Sequence, residues 1–328
     1  MIAVVTGASG FIGSNLVEAL VADGIEVRLI RRPGPRYHEA PRGTTAVTLD
    51  LSSADAADHA VWRGATHVFH LAGRTRALDR ESFMRDNVAP TARLSEIAAR
   101  RATPPRFVFV SSQAAAGPAP SADRPVCEDD TAAPVEGYGA SKLAAERAVQ
   151  AHAGALPSVI LRPASVFGPH DRDFLQVFQQ MRGPLALEAV PSWFCLSLVA
   201  VHDVVAALRL AASHDAAVGR TFFVDDGAPA TWGAVYDEVG AIMGRSPMRL
   251  RVPALVVRAV ANAAELAARL RRTEPLLTRA KLELARHPYW LCDASALRRT
   301  LGWQPSLPRS EAWALTYQWY REARWIRS

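Results

Sequence analysis

The 328-residue chain is 49% hydrophobic and 21% charged and carries a formal net charge of +6. It is long enough for a sizeable core and divides best into one large and one smaller domain. Its arginines are scattered and lie on no basic helix or aromatic platform, so nucleic-acid binding is not expected. Cys127, Cys195 and Cys292 are widely spaced without CxxC, which argues against a disulfide framework and a zinc site, and no apolar run reaches the roughly 18 residues of a membrane span.

Met1 to Val5 has no basic stretch and reads as a first strand rather than a signal peptide, so cytoplasmic residence is expected. The β-branched run Ile2 to Thr6 ends in Gly7-Ala8-Ser9-Gly10-Phe11-Ile12-Gly13 and passes into a helix over Ser14 to Ala22. Strand, glycine loop and helix together make a dinucleotide-binding start, in which backbone N–H groups and a helix N-terminus meet a pyrophosphate. A second strand, Glu26 to Ile30, stops at Arg31-Arg32, where an acid would face a ribose 2′-hydroxyl. Arginine there suits a 2′-phosphate; the other reading is a pair of surface arginines in an arginine-rich chain.

Residues 33–44 read as a loop, and Thr45 to Leu49 as a third strand ending in Asp50-Leu51, with Asp50 placed to accept from an adenine amino group. A fourth strand, Thr66 to Leu71, leads to Ala72-Gly73, small enough for backbone to lie against a dinucleotide; His70 reads as structural. Ser82 to Arg101 is predicted as one long helix holding Asn87, and Arg106 to Val110 as a fifth strand followed by Ser111-Ser112-Gln113. A serine just past the carboxyl end of such a strand lies where open α/β sheets bind ligands.

Tyr138 and Lys142 stand four residues apart at the start of a helix-periodic run and therefore share a face one turn apart. A phenol titrates near ~10 when unperturbed, so a cation close by makes it a usable proton donor or acceptor. That is the chemistry of a carbonyl/alcohol interconversion. Of 38 basic residues only two are lysines, Lys142 and Lys281, so a lysine at this spacing points to a need for a compact charge. A sixth strand, Ser158 to Leu161, continues into Arg162-Pro163-Ala164-Ser165-Val166-Phe167-Gly168-Pro169.

Jointly these motifs resemble the extended short-chain dehydrogenase/reductases, also called the NAD-dependent epimerase/dehydratase family. They are Thr6-Gly7-x-x-Gly10-x-x-Gly13, Asp50-Leu51, His70-Leu71-Ala72-Gly73, Asn87, Ser111-Ser112, Tyr138-x-x-x-Lys142 and Leu161-Arg162-Pro163 through Gly168-Pro169. A weaker likeness runs through Val201-His202-Asp203-Val204, and from Cys292-Asp293-Ala294 to Leu301-Gly302-Trp303-Gln304-Pro305. The resemblance implies a Rossmann-type doubly wound parallel sheet with a smaller, interleaved C-terminal α/β substrate domain. Residues 1–167 with part of 196–226 would form the first, and 168–195 with 227–328 the second. It further implies catalysis by Ser112, Tyr138 and Lys142, with Lys142 lowering the phenol's pKa. A nicotinamide cofactor would lie against Gly7, Ser9, Gly10, Phe11, Ile12, Gly13, Arg31, Arg32, Asp50, Leu51, Leu71, Ala72, Gly73, Asn87, Ser111, Tyr138, Lys142, Pro163 and Val166. Gln113 and Ser165 would face the substrate. No metal is implied, and a homodimer is the assembly kept open.

Departures from the family narrow the chemistry. Members that dehydrate nucleotide sugars carry Thr-Asp-Glu where this chain has Ser112-Gln113-Ala114, so dehydration is not expected. Epimerases often have Asn at Ser165, Tyr at Ala116 and an acid at Arg31. The match leans to the dihydroflavonol reductase and 3β-hydroxysteroid dehydrogenase branches, which work on apolar skeletons. The expectation is therefore an oxidoreductase for ketones and secondary alcohols, NADP(H) preferred and NAD(H) usable. Nucleotide-sugar epimerase and non-catalytic dinucleotide sensor or scaffold are the rivals.

In the last third, Pro253 to Leu270 reads as an amphipathic helix with Leu255, Val256, Ala259, Val260, Ala263 and Leu266 on its apolar stripe and Arg258, Glu265 and Arg269 opposite, suited to roofing an apolar pocket. Ser310 to Ile326 sets Trp313, Trp319 and Trp325 among arginines; packing on the domain, a membrane surface and a partner are the three readings.

Overall fold

The computed structural model describes residues 1–32, 41–77, 79–253, 255–260, 263 and 284–326. Most of the predicted 33–44 loop, and Leu266, Glu265 and Arg269 of the predicted apolar helix, lie outside the described residues.

Strands β1 (Ile2–Thr6), β2 (Glu26–Arg31), β3 (Thr44–Thr48), β4 (His67–His70), β5 (Arg106–Val110), β6 (Ser158–Pro163) and, after four short strands, β11 (Thr221–Val224) form one sheet in the order β3-β2-β1-β4-β5-β6-β11. All its pairings are parallel, which makes this a Rossmann-type sheet. Its central strands are near-continuous apolar runs because helices cover both faces. Leu16, Val17 and Leu20 of α1 (Phe11–Ala22), with Val204, Leu208 and Ala211 of α6 (Val201–Ser213), bury one face. Leu94 and Ile97 of α3 (Ala89–Ala99), with Ala145 and Val149 of α4 (Gly137–Gln150), bury the other against Val68, Phe107, Phe109 and Ile160.

The strand order reverses between β1 and β4, and the chain segments leaving these two strands touch: a Cβ on Gly7 would lie 2.5 Å from the Ala72 nitrogen. This is the crevice where open α/β sheets hold ligands.

The helix expected over Ser82 to Arg101 is not uniform. It runs as α2 (Arg80–Phe83), a π-helical turn over Met84–Val88, and α3. Pro90, at the start of α3, has no N–H to close a bond one turn back, and the ladder widens there.

The smaller region has its own aromatic core. Phe167 stacks on Trp313 with ring centroids 3.7 Å apart, and Phe178 of α5 (Leu175–Gln180) packs edge-on against Tyr320. Trp313 and Tyr320 belong to the helix Arg309–Glu322 and are fully buried, while Trp319 and Trp325 pack against Tyr320. Of the three readings of the Trp/Arg segment, the structure shows packing on the domain. Residues 291–303, expected on the substrate side, return to the main sheet: Leu291, Leu297, Leu301 and Trp303 join its core, and Trp303 Nε1 donates to the Asp203 oxygen at 3.1 Å.

The predicted stripe at Leu255, Val256, Ala259 and Val260 is likewise corrected, since all four are exposed and Val257 is buried instead. The amides of Val256 and Val257 both donate to the Pro253 oxygen, and this first turn sets the phase.

Candidate active site

The glycine loop closes on itself, with the Gly10 amide donating to the Gly7 oxygen at 2.9 Å. Gly7 sits at φ +74°, a left-handed conformation that disfavours a side chain, and a Cβ on Gly13 would come within 2.1 Å of the Gly7 oxygen. Both glycines are demanded by the protein itself. Gly10 differs: it is exposed, and a Cβ there would meet only the Gly7 oxygen, at 3.2 Å. No side chain caps α1 and no acid lies in its first turn, so its leading N–H groups stay available to an anion. An open approach at Gly10 over an uncapped helix N-terminus fits a dinucleotide pyrophosphate.

At the carboxyl ends of β2 and β3, Asp50 is exposed and accepts from the Ser52 amide at 2.9 Å and hydroxyl at 2.7 Å. The Ser52 hydroxyl and amide, with Arg32 adding, hold its carboxyl below the usual range. Arg32 lies 3.7 Å from Asp86, a carboxylate that also receives Arg74 at 3.0 Å and Arg85 at 3.2 Å.

Glu136 caps α4 by accepting from the Tyr138 and Gly139 amides. Gly139 lets this helix lie flat on the turn that follows Ser112, since a Cβ there would come within 2.2 Å of the Ala114 oxygen. That close approach brings the Ser112 hydroxyl beside the Tyr138 phenol, near enough to lower its pKa. One turn on, buried Lys142 donates from Nζ to the Val110 oxygen at 2.6 Å, above the Phe109 ring.

Burial pushes the Tyr138 phenol up to about 12, against the Ser112 hydroxyl and with Glu136 adding to it. Burial also pushes the Lys142 ammonium down to about 8, opposed by Glu146. The expectation that Lys142 holds the phenol below its ordinary value is therefore not met: loss of water governs the phenol, with Glu136 adding, while the ammonium gives one of its three N–H donors to the Val110 oxygen.

Asn87 stands at the edge of this cluster, with its amide wholly engaged by protein. Its Oδ1 accepts from the Arg74 amide at 2.6 Å, and its Nδ2 donates to the Arg74 oxygen and to Ser141 Oγ. It thereby fixes the Gly73-Arg74 turn over α4, and a Cβ on Gly73 would sit 3.7 Å from Lys142 Nζ. The Ser111 hydroxyl also turns inward, to Glu146. Gln113 is buried, and its Nε2 has no hydrogen-bond partner among the described residues. Ser165 and Val166 are half-buried on β7 (Ser165–Phe167), beside Pro163 at the end of β6. His70 is fully buried between the Thr6 and Thr91 hydroxyls, 2.6 and 2.8 Å away, in the structural role expected of it.

Residues 3–224 match the family model described as the NAD dependent epimerase/dehydratase family. The chain belongs to that family.

As a member of the NAD-dependent epimerase/dehydratase family, it is an NAD(P)-dependent enzyme acting on CH–OH groups. It is 29% identical over 328 residues to a ceramide reductase of Caulobacter vibrioides, covering 98% of this chain and 95% of that one. It is 30% identical over 323 residues to a 2-alkyl-3-oxoalkanoate reductase of Shewanella oneidensis, covering 92% and 81%. A solved structure of MoeE5 in complex with UDP-glucose and NAD is similar at 26% identity, with 99% and 100% coverage and a TM-score of 0.78.

Sequence reasoning passed over three groups that hold this family member's site together. Glu146 is buried and receives Arg162 through Nε at 2.9 Å and Nη2 at 2.7 Å, together with the Ser111 hydroxyl. Its signal was present in the sequence: it stands four residues past Lys142, on the same helical face. Glu136 was missed because a cap two residues before a tyrosine has no fixed motif. Thr91 was missed because its partner, His70, comes from a distant strand.

Proposed function

We propose that this enzyme interconverts a ketone and a secondary alcohol on an apolar substrate, preferring NADP(H). The observation that carries the reading is the Ser112–Tyr138 hydroxyl pair with Lys142 one helical turn away, beside the crevice between β1 and β4. The nicotinamide supplies or accepts the hydride. Ser112 holds the substrate oxygen, and Tyr138 delivers a proton to it in reduction and removes it in oxidation. Lys142 supports the phenolate that forms and grips the cofactor ribose. Gln113, with its unpartnered buried amide, supplies a further donor to the substrate, and Ser165 lines the same side. Arg31 and Arg32 receive the 2′-phosphate.

The apolar substrate is supported by two relatives, one named for reducing a ceramide and the other an alkyl-substituted 3-oxoalkanoate. A nucleotide-sugar epimerase is the second reading, favoured by the likeness to MoeE5 with UDP-glucose and NAD. The two differ in net cofactor turnover. Purified protein is offered NADPH or NADH with ketones graded in chain length, and separately UDP-glucose, and the nicotinamide absorbance is followed. Consumption of NADPH with the longer-chain ketones is expected; UDP-glucose epimerised without net cofactor change would overturn the proposal.

A further inference from the structure

β8 (Leu185–Glu188) and β13 (Met248–Arg251) form an isolated parallel pair in which Met248 stands opposite Leu185 and Leu250 opposite Leu187. Paired residues of a ladder point to the same side and alternate ones share a face, so these four side chains form one surface. That surface is open: Leu185 is 37% exposed, Leu187 48%, Met248 71% and Leu250 51%. The reverse face is the covered one, with Ala186 and Glu188 buried and Arg249 reaching Asp237 and the Gly233 oxygen. A sheet with one wet face ordinarily turns polar residues outward. Here the pattern is inverted.

The apolar surface extends beyond the pair. The Val252 amide continues the ladder to the Glu188 oxygen, and the turn that follows exposes Leu255, Val256 and Val260. Trp193, on the connection leaving β8, is 52% exposed. Among the described residues, eight of the eleven exposed large hydrophobics fall within 185–193 and 248–260, so the exposure is concentrated and not scattered.

Charge selects the occupant. Residues 182–193 and 244–260 contain Arg182, Arg245, Arg249, Arg251 and Arg258 against one acid, Glu188, which is buried; Arg249 and Arg251 stand on the reverse side of the ladder, and Arg249 is paired with the exposed Asp237. Arg182, Arg245, Arg251 and Arg258 are exposed. A second copy of the chain docked on this face by a two-fold axis would set arginine against arginine. Exposed aliphatic side chains among arginines that outnumber the neighbouring acids, with Asp237 already paired to Arg249, match the boundary layer of an anionic membrane, where apolar groups enter the acyl region and guanidinium groups meet headgroups.

We propose that the β8/β13 face seats the protein on an anionic lipid bilayer surface. The proposal stands on the face itself and not on the reaction proposed above. If both hold, the bilayer is also the layer in which an apolar substrate dissolves.

The test is co-sedimentation of the full chain with vesicles of phosphatidylcholine alone or mixed with phosphatidylglycerol, at low and high salt. Two variants are compared, Leu187→Ser/Leu250→Ser and Arg251→Gln/Arg258→Gln, each checked for an unchanged melting temperature. Binding to the mixed vesicles that weakens in both variants, by about tenfold or more where two arginines are removed, is expected. Absence of vesicle binding, or binding equal in wild type and both variants, would overturn it. So would a concentration-dependent dimer lost in the leucine variant, which would give the face to a second copy.

Discussion

Lys142 Nζ donates to the main-chain oxygen of Val110 at 2.6 Å, 4.6 Å from the centre of the Phe109 ring. The ammonium is thus held at the end of β5, the strand that continues into Ser111 and Ser112. A guanidinium in the same buried space is planar and larger, and overpacking of this kind costs about 1–3 kcal/mol. Lys142→Arg should keep the charge and still lose most turnover; wild-type turnover in this variant would remove Lys142 from the site.

Tyr138→Phe keeps the ring against Phe83, whose centroid lies 6.1 Å away, and removes the hydroxyl beside Ser112. Turnover should fall by about 10²–10⁴ with cofactor affinity retained. Single-turnover kinetics and cofactor titration measure both, and undiminished turnover would exclude Tyr138 as proton donor.

The pH dependence separates the two groups. Tyr138, at about 12, keeps its proton throughout the working range, whereas Lys142 gives up its own near 8. Because kcat/KM reports groups of the free enzyme, its profile for reduction should be level up to about pH 8 and decline above. Unfolding would not explain that decline. With a folded value near 8 and an ordinary value of 10.5, Lys142 binds fewer protons folded than unfolded between them, so its contribution to stability rises with pH there. A profile level to pH 10 would refute the assignment.

His70 titrates in the acid range. Burial pushes its imidazole from 6.5 to about 3, so the unfolded chain binds the extra proton between those values. The contribution of His70 is complete above 6.5 and is lost as pH falls toward 3, at roughly 1.4 kcal/mol per pH unit at most. In denaturant titrations His70→Gln should be less stable at pH 7.5 and lose stability less steeply on acidification; parallel curves would show that His70 does not govern this limb.

Cofactor choice rests on Arg31 and Arg32. A charge-assisted hydrogen bond contributes about 1.5–3 kcal/mol, so Arg31→Ala/Arg32→Ala should weaken NADP(H) binding by on the order of tenfold to a hundredfold and NAD(H) binding little. Equal NADP(H) affinity in variant and wild type would leave these arginines outside the cofactor site.

Six of the sheet's seven strands were legible because they are largely apolar or β-branched runs, each ending at a small or polar residue, and their observed bounds depart from the expected ones by only a residue or two; β11 was not, since residues 196–226 were expected only in part to return to this domain. The Ser112, Tyr138 and Lys142 positions were legible because order along the chain implies neighbouring strand ends. What could not be read was anything decided by packing between distant segments. The uniform helix expected over Ser82 to Arg101 passed over Pro90, which with residues before it already helical leaves the π-helical turn that carries Asn87. Spacing put Lys142 near the phenol but carried no information on burial, which governs both groups. The phase of the turn over 255–260 depended on Pro253 and reversed the face expected to be covered.

The buried pairing of Arg162 with Glu146, shared with the Ser111 hydroxyl, reaches from β6 to α4 and to the end of β5. Leaving either charge alone in that interior costs several kcal/mol. A chimera that borrows only the Tyr138 helix from another reductase would import an acid, or omit one, without its counterpart. The smallest piece that can be traded between such enzymes is therefore non-contiguous, and recombination libraries cut between residues 111 and 162 should yield insoluble protein unless both parents agree at positions 111, 146 and 162.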